Sequence, residues 1–388
     1  MDKVKYWLWL TEVFGIGSER LWTAMQCFDD PAVAYWELCR DTHGLKLNQK
    51  ELSNIRSISL ESCMKLIEIY KEHGISVTGF SSREYPQYLK NIYNPPAVLF
   101  YKGDIECLNR MPAITIVGAR RSSNQSLMIA DRLARELAQS GFIIVSGFAR
   151  GTDINSHLGA VSVGCPTVCV MACGLDVDYP RENFIYRDSV LKNGGVFISE
   201  YPLGTPPLQQ NFPKRNRILS GLSRGVVVVE AGEKSGSLIT AELALEQNRE
   251  VFCVPPANIY DKSYAGNIKF LRDGAVPVYG YEDITGYFNL FDDDEVIPET
   301  DEPDIKSETV PEIPESSENS AESEKVSDLS EFSDIQKEII RILMQGKTHI
   351  DVISDRLGYD VSELIAEITN LEFDDVIQSF PGKIYGLK

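Results

Sequence analysis

The spacing of apolar and polar positions changes character three times along the 388 residues. Over 1–75, apolar residues recur at three- and four-residue intervals in KYWLWLTEV, SERLWTAMQCF, LNQKELSNIRSI and SLESCMKLIEIYKEHG. That period predicts amphipathic helices, and Gly74 stands where the last of them should stop. FGIG (Phe14–Gly17) joins the first two. From 76 to 288 the period shifts. Short continuous apolar runs appear: AVLFYKG (97–103), ITIVG (114–118), FIIVSG (142–147), TVCVMA (167–172), GVFISE (195–200), VVVVE (226–230) and EVFCVP (250–255). Helical patterns such as LMIADRLARELAQSG (127–141) and LITAELALEQN (238–248) lie between them. Apolar strands alternating with helices predict one doubly wound α/β domain, a parallel sheet covered on both faces.

Large apolar residues then become sparse. The segment 289–331 is rich in Asp, Glu, Ser and Pro and reads as an acidic disordered linker, since it cannot bury enough surface to offset its ordering entropy. Over 332–388, IQKEIIRILMQG, HIDVISDRLG and VSELIAEITNLEF read as three short helices. Two strands joined by PGK follow, DDVIQSF and IYGLK, which completes a winged-helix pattern.

Charge changes the picture once it is partitioned. The formal net charge is -19, but Asp292–Glu331 alone carries 16 acidic residues against Lys306 and Lys325. Acidity is therefore concentrated in the linker and tail, and the α/β region is close to neutral. Eight scattered cysteines form no CxxC pair, and four strand residues span roughly 13 Å, too far for Cys169 and Cys173 to share one ion. They read as buried free thiols of a reducing compartment. No two histidines have metal-ligand spacing, and no metal or other cofactor is expected. The start, MDKVKYWLWLTEV, makes no convincing signal peptide. No apolar run approaches a membrane span of about 18 residues, so a cytoplasmic protein is expected.

Ligands of open parallel sheets bind beyond the carboxyl ends of the strands, so the residues after each strand carry the chemistry. These are Arg120, Arg121, Ser122 and Ser123 after ITIVG, and Arg150 and Gly151 after FIIVSG, whose own end contributes Ser146 and Gly147. Gly174, Tyr179 and Arg181 follow TVCVMA, and Lys234, Ser235, Gly236 and Ser237 follow VVVVE. After GVFISE a long loop is expected, ending in FPKRNRILSGLS with Lys214, Arg215, Asn216 and Arg217. Cations accompanied by glycines and small hydroxyl residues favour phosphate; the competing reading is that the arginines bridge to Asp153, Asp176, Glu200 and Glu230. Neither GxxxxGK[ST] nor GxGxxG with its acidic partner is present. Cations drawn from at least four loops suit an extended track for single-stranded nucleic acid. Asp153 and His157, four apart, read as an N-cap and a packed or loop-orienting histidine.

These loops together resemble the DprA family of bacterial DNA-processing proteins from about Tyr85 to Ala275. The resemblance rests on YPQYLKNIYNPPAVLFYKG, IVGARRSS, VSGFARGTDINSH, CGLDVDYPREN, ISEYPLG, FPKRNRILSGLS, VVVEAGEKSGSLITAELALEQNREVFCVP and GNIKFLRDGA. It implies an extended Rossmann-like domain that binds single-stranded DNA, forms a homodimer and helps load RecA in natural transformation and recombination, with no catalysis. It also implies DNA contacts from Arg120, Arg181, Lys214, Arg215 and Arg217, with the Gly147–Gly151 loop and Ser235–Ser237 shaping a pocket. Gln125–Ser126, Phe148, Thr152 and Pro256 depart from the residues commoner in the family. FGIGSERL looks like the turn of a helix-hairpin-helix (SAM-like) module, either touching a DNA backbone or purely structural. The C-terminal module resembles the winged helix of many DprA proteins. Its segment Val361–Glu372 holds Glu363, Glu367 and Glu372 without a Lys or Arg, so a protein contact or self-association is expected there rather than duplex reading. An enzyme remains the other reading. Related folds include the cytokinin-activating phosphoribohydrolases, whose catalytic Glu would correspond most nearly to Glu242.

Overall fold

In the computed structural model, residues 3–41, 44–289 and, with breaks, 332–387 are described. The chain divides into two compact units, Met1–Glu299 and Thr300–Lys388. The acidic segment 290–331 and much of 361–375 lie outside the described residues, and with them the linker and most of the acidic third helix expected from the sequence.

The first unit opens with five helices: α1 (Val4–Phe14), α2 (Glu19–Met25), α3 (Pro31–Arg40), α4 (Gln49–Ser57) and α5 (Leu60–Glu72). Four match the expected patterns. The fifth, α3, has its signal in Asp30–Pro31: the Asp30 side chain accepts from the Ala32 N–H, and Pro31 takes the first helical turn, where its missing N–H costs nothing. Asn48 and Glu51 form a reciprocal capping box on α4.

The sheet and its helices follow: β1 (Ser76–Gly79), β2 (Val98–Gly103), α6 (Cys107–Arg110), β3 (Ala113–Val117), α7 (Asn124–Gln139), β4 (Ile143–Ser146), α8 (Thr152–Ser162), β5 (Thr167–Met171), α9 (Arg187–Lys192), β6 (Val196–Ser199), α10 (Asn211–Gly221), β7 (Gly225–Val228), α11 (Gly236–Glu246), β8 (Glu250–Cys253), α12 (Ala265–Arg272), β9 (Val276–Pro277) and α13 (Glu282–Asn289). All seven expected strands form. The nine-stranded sheet has the order β1-β2-β6-β5-β4-β3-β7-β8-β9. It is parallel from β6 to β9, whereas β2 runs antiparallel to β6 and β1 antiparallel to β2. The expectation of a wholly parallel sheet is corrected at this edge. Only a single 3-10 turn, Gln87–Asn91, and no crossover α-helix separates β1 from β2, so the chain turns back on itself instead of crossing over. β1 and β9 escape the pattern because neither is a continuous apolar run: β1 is SVTG with its first residue exposed, and β9 is the dipeptide VP.

Alternate strand residues feed opposite faces, as the pleat requires. Val168, Val170, Val196, Ile198 and Val226 pack with Ile218, Leu219 and Leu238 of α10 and α11. On the other face Ile114, Ile116, Ile144 and Val227 meet Leu133 and Leu137 of α7 and Phe288 of α13. Further along that face Cys169, Met171 and Phe197 share a core with Trp7, Leu10 and Leu21 of the N-terminal helices. The helical region thus covers the sheet directly.

Asn267 shows how one residue ties the sheet ends together. It is fully buried in α12. Its Nδ2 donates to the carbonyls of Val228 (3.0 Å), Val229 (3.2 Å) and Val254 (3.0 Å), and its Oδ1 accepts from the Ala231 N–H (2.8 Å). Substituting Asn267→Leu would strand the Ala231 N–H and the Val229 and Val254 carbonyls, whereas the Val228 carbonyl keeps the Val254 N–H. We expect a loss of about 3 kcal/mol, read from a lower urea midpoint at unchanged slope.

The second unit comprises α14 (Asp334–Leu343), β10 (Thr348–His349), α15 (Ile350–Leu357), β11 (Ile377–Phe380) and β12 (Ile384–Leu387). Its sheet has the antiparallel order β10-β12-β11. Ile339, Ile340, Ile353, Leu364, Ile368 and Leu371 form its core. Both expected strands are present.

Candidate nucleic-acid interface

The strand order reverses at β3, which has β4 on one side and β7 on the other. A crevice opens at such a switch point beyond the carboxyl ends of the strands. There the structure has a cleft of about 500 Å³. Its walls come from Val117, Gly118 and Arg120 after β3, Ala149 and Asp153 after β4, Tyr179 after β5, Phe212, Arg215 and Asn216 of α10, and Ser235, Gly236 and Ser237 at the start of α11.

Sequence reading put Lys214–Arg217 at the end of a loop. They stand instead within the first two turns of α10, which begins at Asn211. A helix separates their fates by angle. Lys214 is exposed, whereas Arg215 and Asn216 turn inward and are buried. The Arg215 guanidinium donates to the carbonyls of Gly147 (3.1 Å) and Val170, and its Nε has no hydrogen-bond partner among the described residues. Asn216 donates to the Gly236 carbonyl at 3.3 Å, tying α10 to the first turn of α11. Arg217 pairs with Glu200 (2.6 Å), both largely buried, beneath the turn at Gly17. The alternative weighed from the sequence, arginines bridging to carboxylates, therefore describes Arg217, whereas Arg215 is held by backbone carbonyls with Asp153 nearby. Arg120, Arg121, Lys214 and Lys234 are exposed.

The loop after β4 is built around Arg215. A Cβ on Gly147 would lie 2.6 Å from Asp153 Oδ2 and 2.7 Å from the Arg215 guanidinium nitrogens, so only glycine fits. Phe148 adopts φ 55°, which is strained for an L residue. Asn183 holds it there, donating to the carbonyls of Phe148 (3.0 Å) and Ala149 (3.1 Å). Asp153 does not cap α8, a correction to the sequence reading: the cap position is Gly151, at φ 76°. Asp153 sits in the first turn, where its Oδ2 accepts from the Ala149 N–H at 3.3 Å. Burial raises its carboxyl above the ordinary range, opposed by the Arg215 charge. Burial lowers the Arg215 guanidinium in turn. His157 is packed as expected, its Nδ1 2.7 Å from the Thr167 hydroxyl. Burial and the Arg215 charge push it down to about 3, so it is neutral at physiological pH.

The other expected residues divide between cleft and frame. Arg120 is exposed, with its guanidinium 4.6 Å over the Phe212 ring; Tyr179 meets that ring edge-on at 5.6 Å. Ser235–Ser237 bring the N-terminus of α11 to the cleft. Ser122 is half-buried, donating to the Ala119 carbonyl and 2.9 Å from the Thr152 hydroxyl. Ser146 is buried and donates to the Ile116 carbonyl, while Gly174 donates its N–H to the Thr205 carbonyl; both are frame. Arg150 is exposed on the rim and paired with Glu182. Such a pair is screened by solvent and exchanges readily. Arg181 is exposed beyond the cleft wall. Glu242, the candidate of the enzyme reading, is exposed on α11 and does not line the cleft. Phe212 is the site residue that sequence reasoning passed over. Its signal is its place beside the cations in FPKRN.

In the N-terminal turn, Arg20 donates to Glu51 (2.7 Å) and to the Lys46 carbonyl (2.7 Å), so the one nearby cation is engaged internally. All eight cysteines are free; Cys27 and Cys39, on the N-terminal helical region, are exposed rather than buried as expected, and burial raises the Cys63, Cys107, Cys169, Cys173 and Cys253 thiols. Among the described residues no helix is long and apolar enough to cross a membrane, and no acidic, His or Cys cluster could hold a metal ion.

Residues 76–289 match the family model of DNA recombination-mediator protein A, and residues 320–383 that of the DprA winged helix domain. The chain is 44% identical over 220 residues to DNA processing protein DprA of Bacillus subtilis (strain 168), covering 57% of this chain and 73% of that protein. It is 32% identical over 389 residues to Protein Smf of Escherichia coli (strain K12), covering 98% and 95%. The X-ray structure of DprA from Streptococcus pneumoniae aligns with a TM-score of 0.64 at 30% identity, over 74% of this chain and 98% of that one. DprA from Helicobacter pylori, whose structure addresses its single-stranded DNA binding mode, aligns with a TM-score of 0.50 at 29% identity, over 56% and 96%.

Proposed function

The chain belongs to the DNA recombination-mediator protein A (DprA/Smf) family, and on that premise we propose that it binds single-stranded DNA across the cleft at the β3 switch point. The observation that carries the reading is the convergence in one cleft of Arg120 stacked on Phe212, the buried Arg215 and the N-terminus of α11. Phosphate meets two guanidinium groups and a helix N-terminus, while Phe212 and Arg120 offer faces to bases whatever the sequence. Lys214, Arg150 and Arg181 extend the cationic path, Arg150 by exchanging Glu182 for phosphate. The DprA of Helicobacter pylori, whose structure addresses its single-stranded DNA binding mode, supports the ligand class.

On the same reading the protein acts without catalysis, as a homodimer that protects incoming or recombining strands and passes them to RecA. The family's description as a recombination mediator supports that role. The acidic segment 361–372 is assigned to a protein contact rather than to duplex.

Phe212→Ala separates stacking from charge. Stacking contributes about 1–3 kcal/mol per base, so oligo(dT) affinity should fall about tenfold while the salt dependence keeps its slope. Fluorescence anisotropy at several salt concentrations reads both. Unchanged affinity would remove Phe212 from the site.

A further inference from the structure

The cleft contains a carboxylate that an anion site would ordinarily avoid. Its charged lining residues are Arg120, Arg215 and Asp153, two cations and one potential anion. Asp153 is 7% exposed and Arg215 3% exposed, and both crowd the same side of Gly147. Neither charge can swing away. Asp153 is fixed by the Ala149 N–H and Arg215 by the carbonyls of Gly147 and Val170. With Asp153 ionised, the lining carries a net charge of one positive unit.

That balance suits one class of phosphate. An internal phosphodiester carries a single negative charge, whereas a phosphomonoester carries about -1.5 to -2 at neutral pH, since its second pKa is about 6. A fixed carboxylate offsets much of the attraction that the two guanidinium groups offer a second charge, so the cost of desolvating that charge in a poorly solvated site is not recovered; specificity is gained by repulsion of the competitor as well as by attraction of the ligand. We propose that Asp153 is a specificity-determining residue that makes the cleft select internal phosphodiesters of single-stranded DNA over terminal phosphomonoesters and free nucleotides. The proposal rests on the single-stranded DNA reading above and adds which phosphate of the strand is taken. It also gives the buried Asp153 a role beyond packing: the protein would engage strand interiors and leave phosphorylated ends to other proteins.

The test uses the full chain and two small probes, thymidine 5′-monophosphate and its methyl phosphodiester, titrated by NMR at pH 7.5, with anisotropy of labelled oligo(dT) in parallel. The wild type is expected to bind the diester at least about fivefold more tightly than the monoester. Asp153→Asn keeps the shape and an acceptor for the Ala149 N–H and removes the charge. It should shift the ratio toward the monoester by about tenfold, the scale of one unit charge a few ångströms away in a partly desolvated site. Arg120→Gln, an exposed change that spares the buried pair, should weaken both probes and the monoester more. A wild-type preference for the monoester, or the same ratio in wild type and Asp153→Asn, would overturn the proposal. So would failure of both probes to bind while oligo(dT) binds. Loss of oligo(dT) binding in the wild type would instead sink the single-stranded DNA reading itself.

Discussion

Replacing Arg215 by alanine is expected to lower stability by about 3–5 kcal/mol, because it removes the buried donor to two carbonyls and the positive charge near Asp153. Three groups are affected at once. The carbonyls of Gly147 and Val170 lose this donor, and Asp153 loses the charge that opposes the effect of its burial, keeping its bonds from the Ala149 N–H and Ser146. For a domain of this size each kcal/mol moves the melting temperature by roughly 2–4 °C, so a drop on the order of 10 °C should appear by calorimetry. Adding Asp153→Asn to Arg215→Ala should recover a large part of the loss, because the stranded charge goes with it. A cycle in which the two changes simply add would mean that the pair is not coupled. Single-strand binding by Arg215→Ala should fall as well, and the second substitution should not restore it.

This buried arginine marks where the sequence stopped being legible. All seven strands anticipated after residue 96 form, because each is a continuous apolar run and both faces of the sheet are covered. The strand order was not readable, and neither was the antiparallel edge of β1 and β2, because pairing is set by contacts distant in sequence. The same limit applies at the site. The cations of FPKRN were visible, but whether each faced the cleft or the core depended on α10 beginning at Asn211. Lys214, Arg215 and Arg217 are close neighbours in sequence, yet one is solvated, one holds two carbonyls and one is paired with Glu200. Phe212 went unassigned because an aromatic in a loop has many uses. Its role emerges only with Arg120 above it and Tyr179 at its edge.

The largest effect on binding is expected from reversing the two exposed rim charges, Arg120→Glu with Lys214→Glu. Arg217 is the wrong target, since a glutamate there would face Glu200 in a nearly closed site and destabilise the fold. Arg120 and Lys214 are exposed and in no ion pair among the described residues, so stability should change little. Each phosphate no longer neutralised reduces the steepness of log K against log salt by about 0.7 for single strands. The reversed pair should therefore flatten the slope by about 1.4 or more and reduce affinity on the order of 100-fold at low salt.

Measuring oligo(dT) affinity as a function of salt, for the wild type and for Arg120→Glu with Lys214→Glu, tests most directly whether this cleft is the single-stranded DNA track. The account predicts a steep wild-type slope, a shallower one in the double variant, and a gap between the curves that narrows as salt rises. Two superimposable curves from equally stable proteins would contradict it.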